Sequence, residues 1–204
     1  RLGQTLGRIH RIGRAKPFVH RRDISSKRMA TESRIFLEEQ AVPRELINAY
    51  STLAKDCEQT AASLLSPMTK RDMQRVHGDC HTGNILWRDD TPHFVDLDDC
   101  VSGPAIQDIW MFLSGDRFQQ ERQLSEFVSG YEEFHEFDPR QLAWIEALRT
   151  LRIMHHAFWL ASRWDDPAFP RAFPWFGQAR FWSDHILELR EQLGVMQEPT
   201  LRLL

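Results

Sequence analysis

Residues 77–99 constrain this chain more than any other stretch. They run His77-Gly78-Asp79-Cys80-His81-Thr82-Gly83-Asn84, cross a short apolar segment, and end in Phe94-Val95-Asp96-Leu97-Asp98-Asp99. A carboxylate and a carboxamide stand five residues apart, and a second carboxylate follows twelve residues further on. Gly78 and Gly83 allow a turn and the close approach of a ligand. Short apolar runs at 73–76, 85–87 and 93–96 predict three small strands, with Asp89-Asp90-Thr91-Pro92 as a hairpin connection between the last two. The carboxylates thereby fall at strand ends and turns, where a scaffold displays reactive groups.

These groups at this spacing suit phosphoryl transfer. A phosphoryl group in flight spreads negative charge over its oxygens, so catalysis is mostly positioning and cationic stabilisation. Mg²⁺ takes hard oxygen ligands and is held by one or two protein groups plus substrate phosphates. Asn84 and Asp96 can supply those oxygens, while Asp79 can accept a hydrogen bond from an attacking hydroxyl. Protein kinases set an Asp, an Asn five residues later and a downstream Asp in this order. Here the loop reads H-G-D where theirs reads H-R-D, so the spacing matches and the Arg does not.

Composition narrows the setting. The 204 residues are 42% hydrophobic and 27% charged with net charge −3, an ordinary balance for a globular chain with one buried core. No global basic excess points to nucleic acid. The local cluster of Arg, Lys and His in residues 1–34 reads as a solvated or phosphate-facing surface. No apolar run has the length of a membrane span, and no signal peptide opens the chain. Cys57, Cys80 and Cys100 form an odd set without framework spacing, so a reducing, cytoplasmic setting is expected. A monomer is expected as well. Cys80 reads as a small residue packed behind the loop in preference to a redox-sensitive thiol.

The remainder reads helical. Leu2, Leu6, Ile9 and Ile12 recur at helical spacing and predict a helix over 2–13, entered at Arg1 in mid-pattern as an excised or processed piece would be. A basic loop with Pro17 follows over 14–24, then helices over 26–39 and 44–65. The last of these is entered by Pro43, with Leu46, Ile47, Tyr50, Leu53, Ala54, Cys57 and Leu64 on its inner side. After Gly103-Pro104, helices are predicted over 105–115, 118–136, 139–164 and 175–193, broken by a Pro-rich loop at 165–174. The expected fold is α+β, mostly helical, with one small sheet at the loop. It forms a single domain over 1–204, with the catalytic loop and metal segment at 73–110 and a helical subdomain at 111–204.

The motif H-G-D-x-H-x-x-N followed by V-D-x-D-D is matched at every position by His77–Asp99. Further matches are Gly103-Pro104-Ala105-Ile106-Gln107-Asp108-Ile109-Trp110, Arg163-Trp164, Asp166-Pro167-Ala168-Phe169-Pro170 and Phe173-Pro174-Trp175. On these residues the chain resembles the aminoglycoside phosphotransferase and choline kinase superfamily, most of all its bacterial stress-response Ser/Thr protein kinases. The resemblance implies the C-terminal lobe of a protein-kinase-like fold, ATP as phosphate donor, Mg²⁺ as metal and a protein Ser/Thr hydroxyl as acceptor. It implies Asp79 as the catalytic residue and Asn84 and Asp96 as the metal- and cofactor-binding pair. His77 would brace the loop, and Asp108 would hold the loop backbone. Asp98 and Asp99 either reach a metal through water or cap the turn. The family's nucleotide-covering hairpin and phosphate-gripping Lys–Glu pair find no match, because Lys16, Lys27, Lys55 and Lys70 fall in loop or helix patterns. The nucleotide lobe is therefore expected to be absent from these 204 residues, which by themselves should transfer phosphate poorly.

Other readings stay open at this level. The same loop serves kinases of aminoglycosides, choline or homoserine-like alcohols, and a kinase lobe can persist as a non-catalytic binding module. His77, Asp79 and His81, with His93 and Cys100 nearby, also form an H-x-D-x-H pattern that a dinuclear metallohydrolase could use. His81 reads as a loop residue near phosphates or a peptide substrate. Adjacent His155 and His156 point different ways on a helix, one to the core and one to solvent, and make a poor joint ligand pair. Trp159, Trp164, Phe169, Phe173, Trp175 and Phe176 either pin the Pro-rich loop, the favoured reading, or form an acceptor-binding wall.

Overall fold

The computed structural model of the chain describes residues 1–25 and 27–204. In chain order these form helix α1 (Leu2–Ala15), a π-helical stretch Lys27–Glu32 running into α2 (Ser33–Gln40), α3 (Ile47–Leu65), strands β1 (Gln74–Val76), β2 (Ile85–Arg88), β3 (Thr91–Phe94) and β4 (Val101–Gly103), then α4 (Ile106–Ile109), α5 (Arg117–Glu132), α6 (Ile145–Ala161), α7 (Ala168–Ala172) and α8 (Ala179–Val195). The class is the expected one, mostly helical with little strand.

The strands depart from the expected single sheet. Two separate antiparallel ladders form, β1 with β4 and β2 with β3. β4 has no counterpart in the sequence reading, because Val101-Ser102-Gly103 is short and runs into Gly103-Pro104, a turn signal. It is strand because both its edges are used. Val76 pairs with Val101 on one side; on the other, Ile24 N donates to Ser102 O and Ser102 N to Arg22 O, both at 2.9 Å. The hairpin between β2 and β3 is tighter than expected. Asp89 and Asp90 alone turn it, at φ 47° and 58°, and Thr91 and Pro92 already belong to β3. Asp residues tolerate that left-handed backbone better than most, and two consecutive positive φ angles suit the twist of a two-residue hairpin.

Helix boundaries shift for local reasons. The helix expected over 26–39 becomes a π-helical stretch and α2, with residue 26 outside the described residues. The 105–115 helix stops early: α4 passes into a single 3₁₀ turn, Trp110–Phe112, and Leu113 is extended. Gly115 at φ 86° and a reciprocal cap between Asp116 and Gln119 then launch α5. The 139–164 helix begins as 3₁₀, Pro139–Trp144, and ends at Ala161. The Pro-rich loop contains α7, and α8 starts only at Ala179.

The chain divides into two compact units, each assembled from separated stretches. The first comprises Arg1–Ile24, Pro67–Ile145 and Pro199–Leu204. In it α1 packs on α5 and β1, through a face that differs from the apolar periodicity. Gly3, Leu6, Gly7, His10 and Gly13 are buried, whereas Ile9 and Ile12 are 39% and 72% exposed. A Cβ at Gly3 would stand 2.1 Å from Phe127 O, and one at Gly7 2.6 Å from Tyr131 O. Small residues thus let the α1 and α5 backbones touch. The second unit comprises Ser25–Ser66 and Glu146–Glu198. There α3 packs on α8 through Tyr50, Ala54, Cys57, Ala61 and Leu65, spaced three and four residues apart. Leu46, Ile47, Leu53 and Leu64 are only half-buried.

Within that second unit the Pro-rich segment is pinned by aromatic pairs. Trp159 meets Phe169 at 5.1 Å and Phe173 at 5.9 Å between ring centroids, and Trp164 meets Phe176 at 5.1 Å. His155 is half-buried and its Nδ1 lies 3.3 Å from Ser33 Oγ, while the exposed His156 stacks on Trp159.

Candidate active site

The loop 77–84 and the segment 95–99, both in the first unit, are stitched together by a short series of contacts. His77 is buried and its Nε2 lies 2.8 Å from Val95 O, so the proton sits on Nε2 and His77 braces the loop from behind. Val95 N donates to Asn84 O at 3.0 Å, which extends the β2–β3 ladder and brings Asn84 and Asp96 to the same hairpin end. Gly78, at φ 87°, lies so close to the next segment that a Cβ would stand 2.5 Å from Asp99 O. Only glycine meets both demands there.

Helix α4 grips this loop from inside. The fully buried Asp108 accepts from His77 N at 2.6 Å through Oδ2 and from Gly78 N at 2.9 Å through Oδ1. Gln107 Nε2 donates to Gly78 O at 2.9 Å, so one turn of helix holds both polar groups of Gly78. Gln141 Oε1 in turn accepts from Ile106 N at 3.0 Å and fixes the start of α4. The part assigned to Asp108 by resemblance is what its contacts show.

Within the loop, Asn84 Nδ2 donates to Asp79 O at 3.0 Å. A carbonyl can only accept, so the amide nitrogen is the atom committed to Asp79, and Oδ1 is the Asn84 atom that could ligate a cation. Asp96 is exposed, lies two residues beyond β3, and has φ 62° and ψ 63° with no capping bond from its side chain. Two neutral or anionic oxygens at one hairpin end suit a hard divalent cation that takes its remaining ligands from phosphates and water.

His81 sits beside Asp79. Its Nδ1 accepts from Gly83 N at 3.0 Å, which leaves the proton on Nε2, 3.5 Å from Asp79 Oδ2. These contacts do not favour the metallohydrolase reading. His77 Nε2 is engaged by Val95 O and His81 Nδ1 by Gly83 N, and among the described residues no three His, Cys, Asp or Glu side chains gather to hold a metal. Cys80 is fully buried; burial, and after it Asp108 and Asp79, pushes its thiol far up, as fits a packed residue. Arg21, read only as part of the basic cluster, donates to the backbone carbonyl of Asp98 and, at 3.5 Å, to that of Cys100. It straps the acidic turn, a contact between residues 77 apart that no local pattern announces. Asp98 and Asp99 are exposed on that turn. Among the described residues no helix is long and apolar enough to cross a membrane.

The chain is similar to known proteins along nearly its whole length. The chain is 43% identical over 202 residues to stress response kinase A of Escherichia coli O157:H7 and 42% identical over 204 residues to the serine/threonine protein kinase RdoA of Salmonella typhimurium. Both alignments take in 99% of this chain and 61% of the relative, so the chain spans about three-fifths of the length of these curated relatives. Among solved structures it is similar in fold to amicoumacin kinase hAmiN, solved with AMP-PNP, Ca²⁺ and Ami, with TM-score 0.67 and 21% identity over 96% of this chain and 58% of that one. It is also similar to a choline/ethanolamine kinase family protein from Mesorhizobium loti, with TM-score 0.61 and 12% identity over 97% of this chain and 62% of that one. The Phosphotransferase enzyme family profile (APH) matches residues 1–145, which carry the whole of the loop and its clamp, and the chain belongs to that family.

Proposed function

We propose that the protein is an ATP-dependent kinase that transfers the γ-phosphate to a Ser or Thr hydroxyl of a protein, with Asp79 as the catalytic residue. The observation that carries this reading is the clamped loop: Asp108 and Gln107 hold Gly78, while Asn84 and Asp96 share one hairpin end beside Asp79. The name of one relative at 42% identity, a serine/threonine protein kinase, favours a protein hydroxyl over a small alcohol. The acceptor oxygen bonds to the γ-phosphorus as the bond to the β–γ bridging oxygen breaks. ADP departs with that electron pair, and the hydroxyl proton passes to Asp79. Asn84 and Asp96 would hold Mg²⁺, which would supply positive charge against the ATP phosphates. Lys16 follows α1, Lys27 and Lys55 lie in helical segments and Lys70 in a 3₁₀ turn. None is set in a sheet to grip phosphates, so the 204 residues alone should transfer phosphate poorly. The three free cysteines fit a cytoplasmic protein.

The test is a pair of variants in the full-length protein. Asp79→Asn is expected to lower turnover by roughly 10²–10⁴-fold while leaving Mg·ATP affinity close to wild type. Asp96→Ala is expected to weaken Mg·ATP binding by about tenfold or more as well. Equal loss of nucleotide binding in both variants would overturn this division of labour. Phosphorylation of a small alcohol with no transfer to protein would move the acceptor to the small-molecule class.

A further inference from the structure

Behind Asp108 stands a second buried pair. His10 of α1 and Tyr131 of α5 are both fully buried, 121 residues apart in sequence. His10 Nε2 lies 2.9 Å from Asp108 Oδ2, and His10 Nδ1 lies 2.9 Å from Tyr131 OH. Proton positions follow from the partners. An ionised carboxylate only accepts, so Nε2 carries a proton, and Nδ1 shares the second hydrogen bond with the Tyr131 hydroxyl. Three side chains from three helices thus form one line of hydrogen bonds that ends on the His77 and Gly78 amides.

We propose that His10 and Tyr131 are positioning residues for the catalytic loop, acting through Asp108. The bearing on turnover rests on the phosphotransferase reading; the bearing on the loop backbone does not. Packing alone does not call for this pair. The other buried positions of α1 are glycines and Leu6, so packing of the helix by itself asks only for an apolar residue at position 10. Asp108 has no exposed surface and divides its two oxygens among three donors. Removal of the His10 donor leaves a buried charge under-compensated, and the carboxylate is then free to turn from the two amides it holds. Tyr131 fixes the His10 ring and hence the direction of Nε2–H. The glycine contacts of α1 with α5 bring the two helices close enough for this line to close.

The experiment compares His10→Leu, His10→Gln and Tyr131→Phe in the full-length protein. Backbone amide exchange at His77 and Gly78 is read beside kcat and KM for Mg·ATP. For His10→Leu, exchange at these two amides should rise about tenfold or more relative to amides in α5, and kcat should fall by a similar factor with KM for ATP changed less than about threefold. Tyr131→Phe, nearly isosteric, should move both readouts the same way by less. His10→Gln, which keeps an N–H for Asp108, should restore most of each. Protection at His77 and Gly78 unchanged in Tyr131→Phe and His10→Leu, or lost equally along α1 and α5, would make the pair a packing feature only and overturn the proposal. If His10→Leu does not fold, the Tyr131→Phe comparison decides. If the wild type transfers no phosphate, amide exchange still decides, and that failure belongs to the phosphotransferase reading.

Discussion

At the scale of single residues, Gly78 and the cysteines give the sharpest expectations. Gly78→Ala meets both a positive φ and a backbone oxygen 2.5 Å from the new Cβ. It should lower stability by roughly 1–3 kcal/mol, read by urea denaturation, and disturb the loop at the same time. Burial pushes the Cys57 thiol up to about 12 and the Cys80 thiol further still, whereas Cys100 is only half-buried and its thiol is also raised, again chiefly by burial. Under native conditions near pH 8, an alkylating reagent should therefore label Cys100 first and reach Cys57 and Cys80 only on unfolding, as peptide mass spectrometry will show. At this scale part of the construction was legible. Asp79, Asn84 and Asp96 lie at the turns and strand ends that the short apolar runs predicted, and Asp108 was legible only through the resemblance, since the amides it holds are about thirty residues away. Arg21, His10 and Tyr131 were not legible as members of the same construction, since their partners are 77 to 121 residues away.

At the scale of elements, α1 shows how periodicity can find a helix and miss its face. Leu2, Leu6, Ile9 and Ile12 mark the helix, yet the buried stripe is made mostly of glycine and histidine, which hydropathy does not flag. Gly7→Ala tests the point. Replacing a mid-helix glycine gains about 0.5–1 kcal/mol of helix propensity, but overpacking costs about 1–3 kcal/mol, so a net loss of stability is expected in chemical denaturation. A gain would mean that α1 and α5 can part without penalty. The 3₁₀ segment Pro139–Trp144 carries a pH-dependent cap. Asp138 accepts from Arg140 N at 3.0 Å and from the Arg140 side chain, and that side-chain bond holds its carboxyl below the usual carboxylate range. A lowered folded-state pKa means the contribution is present above the ordinary value of about 4 and is lost as pH falls through the folded value. Asp138→Asn, which keeps the cap but not the charge, should flatten the fall in stability between about pH 5 and pH 2.

At the scale of the whole molecule, the order of the chain and the order of the units differ. The first unit takes residues from both ends of the chain and from its middle. Its last piece is tied to α5 by Arg117, which donates to Pro199 O at 2.7 Å and Thr200 O at 2.6 Å, and by Arg202 N to Glu121 and Leu204 N to Ser125. Removing residues 199–204 should lower the stability of the first unit by roughly 1–2 kcal/mol. Four exposed hydrogen bonds are lost against a regain of chain entropy, and calorimetry or urea denaturation of the truncated protein checks the sum.

The amino-acid sequence by itself determined the chemistry-bearing loop, the mostly helical class and the family, because each is written in residues close together along the chain. Strand β4, the buried face of α1 and the clamp from Tyr131 through His10 to Asp108 were decided only by tertiary structure. Each depends on a partner brought in from a distant stretch: Ile24 and Arg22 on β4, the α5 backbone against the glycines, and three helices converging on one carboxylate. Local propensity is blind to such partners, since a backbone edge or a buried charge is satisfied by whatever the fold sets beside it.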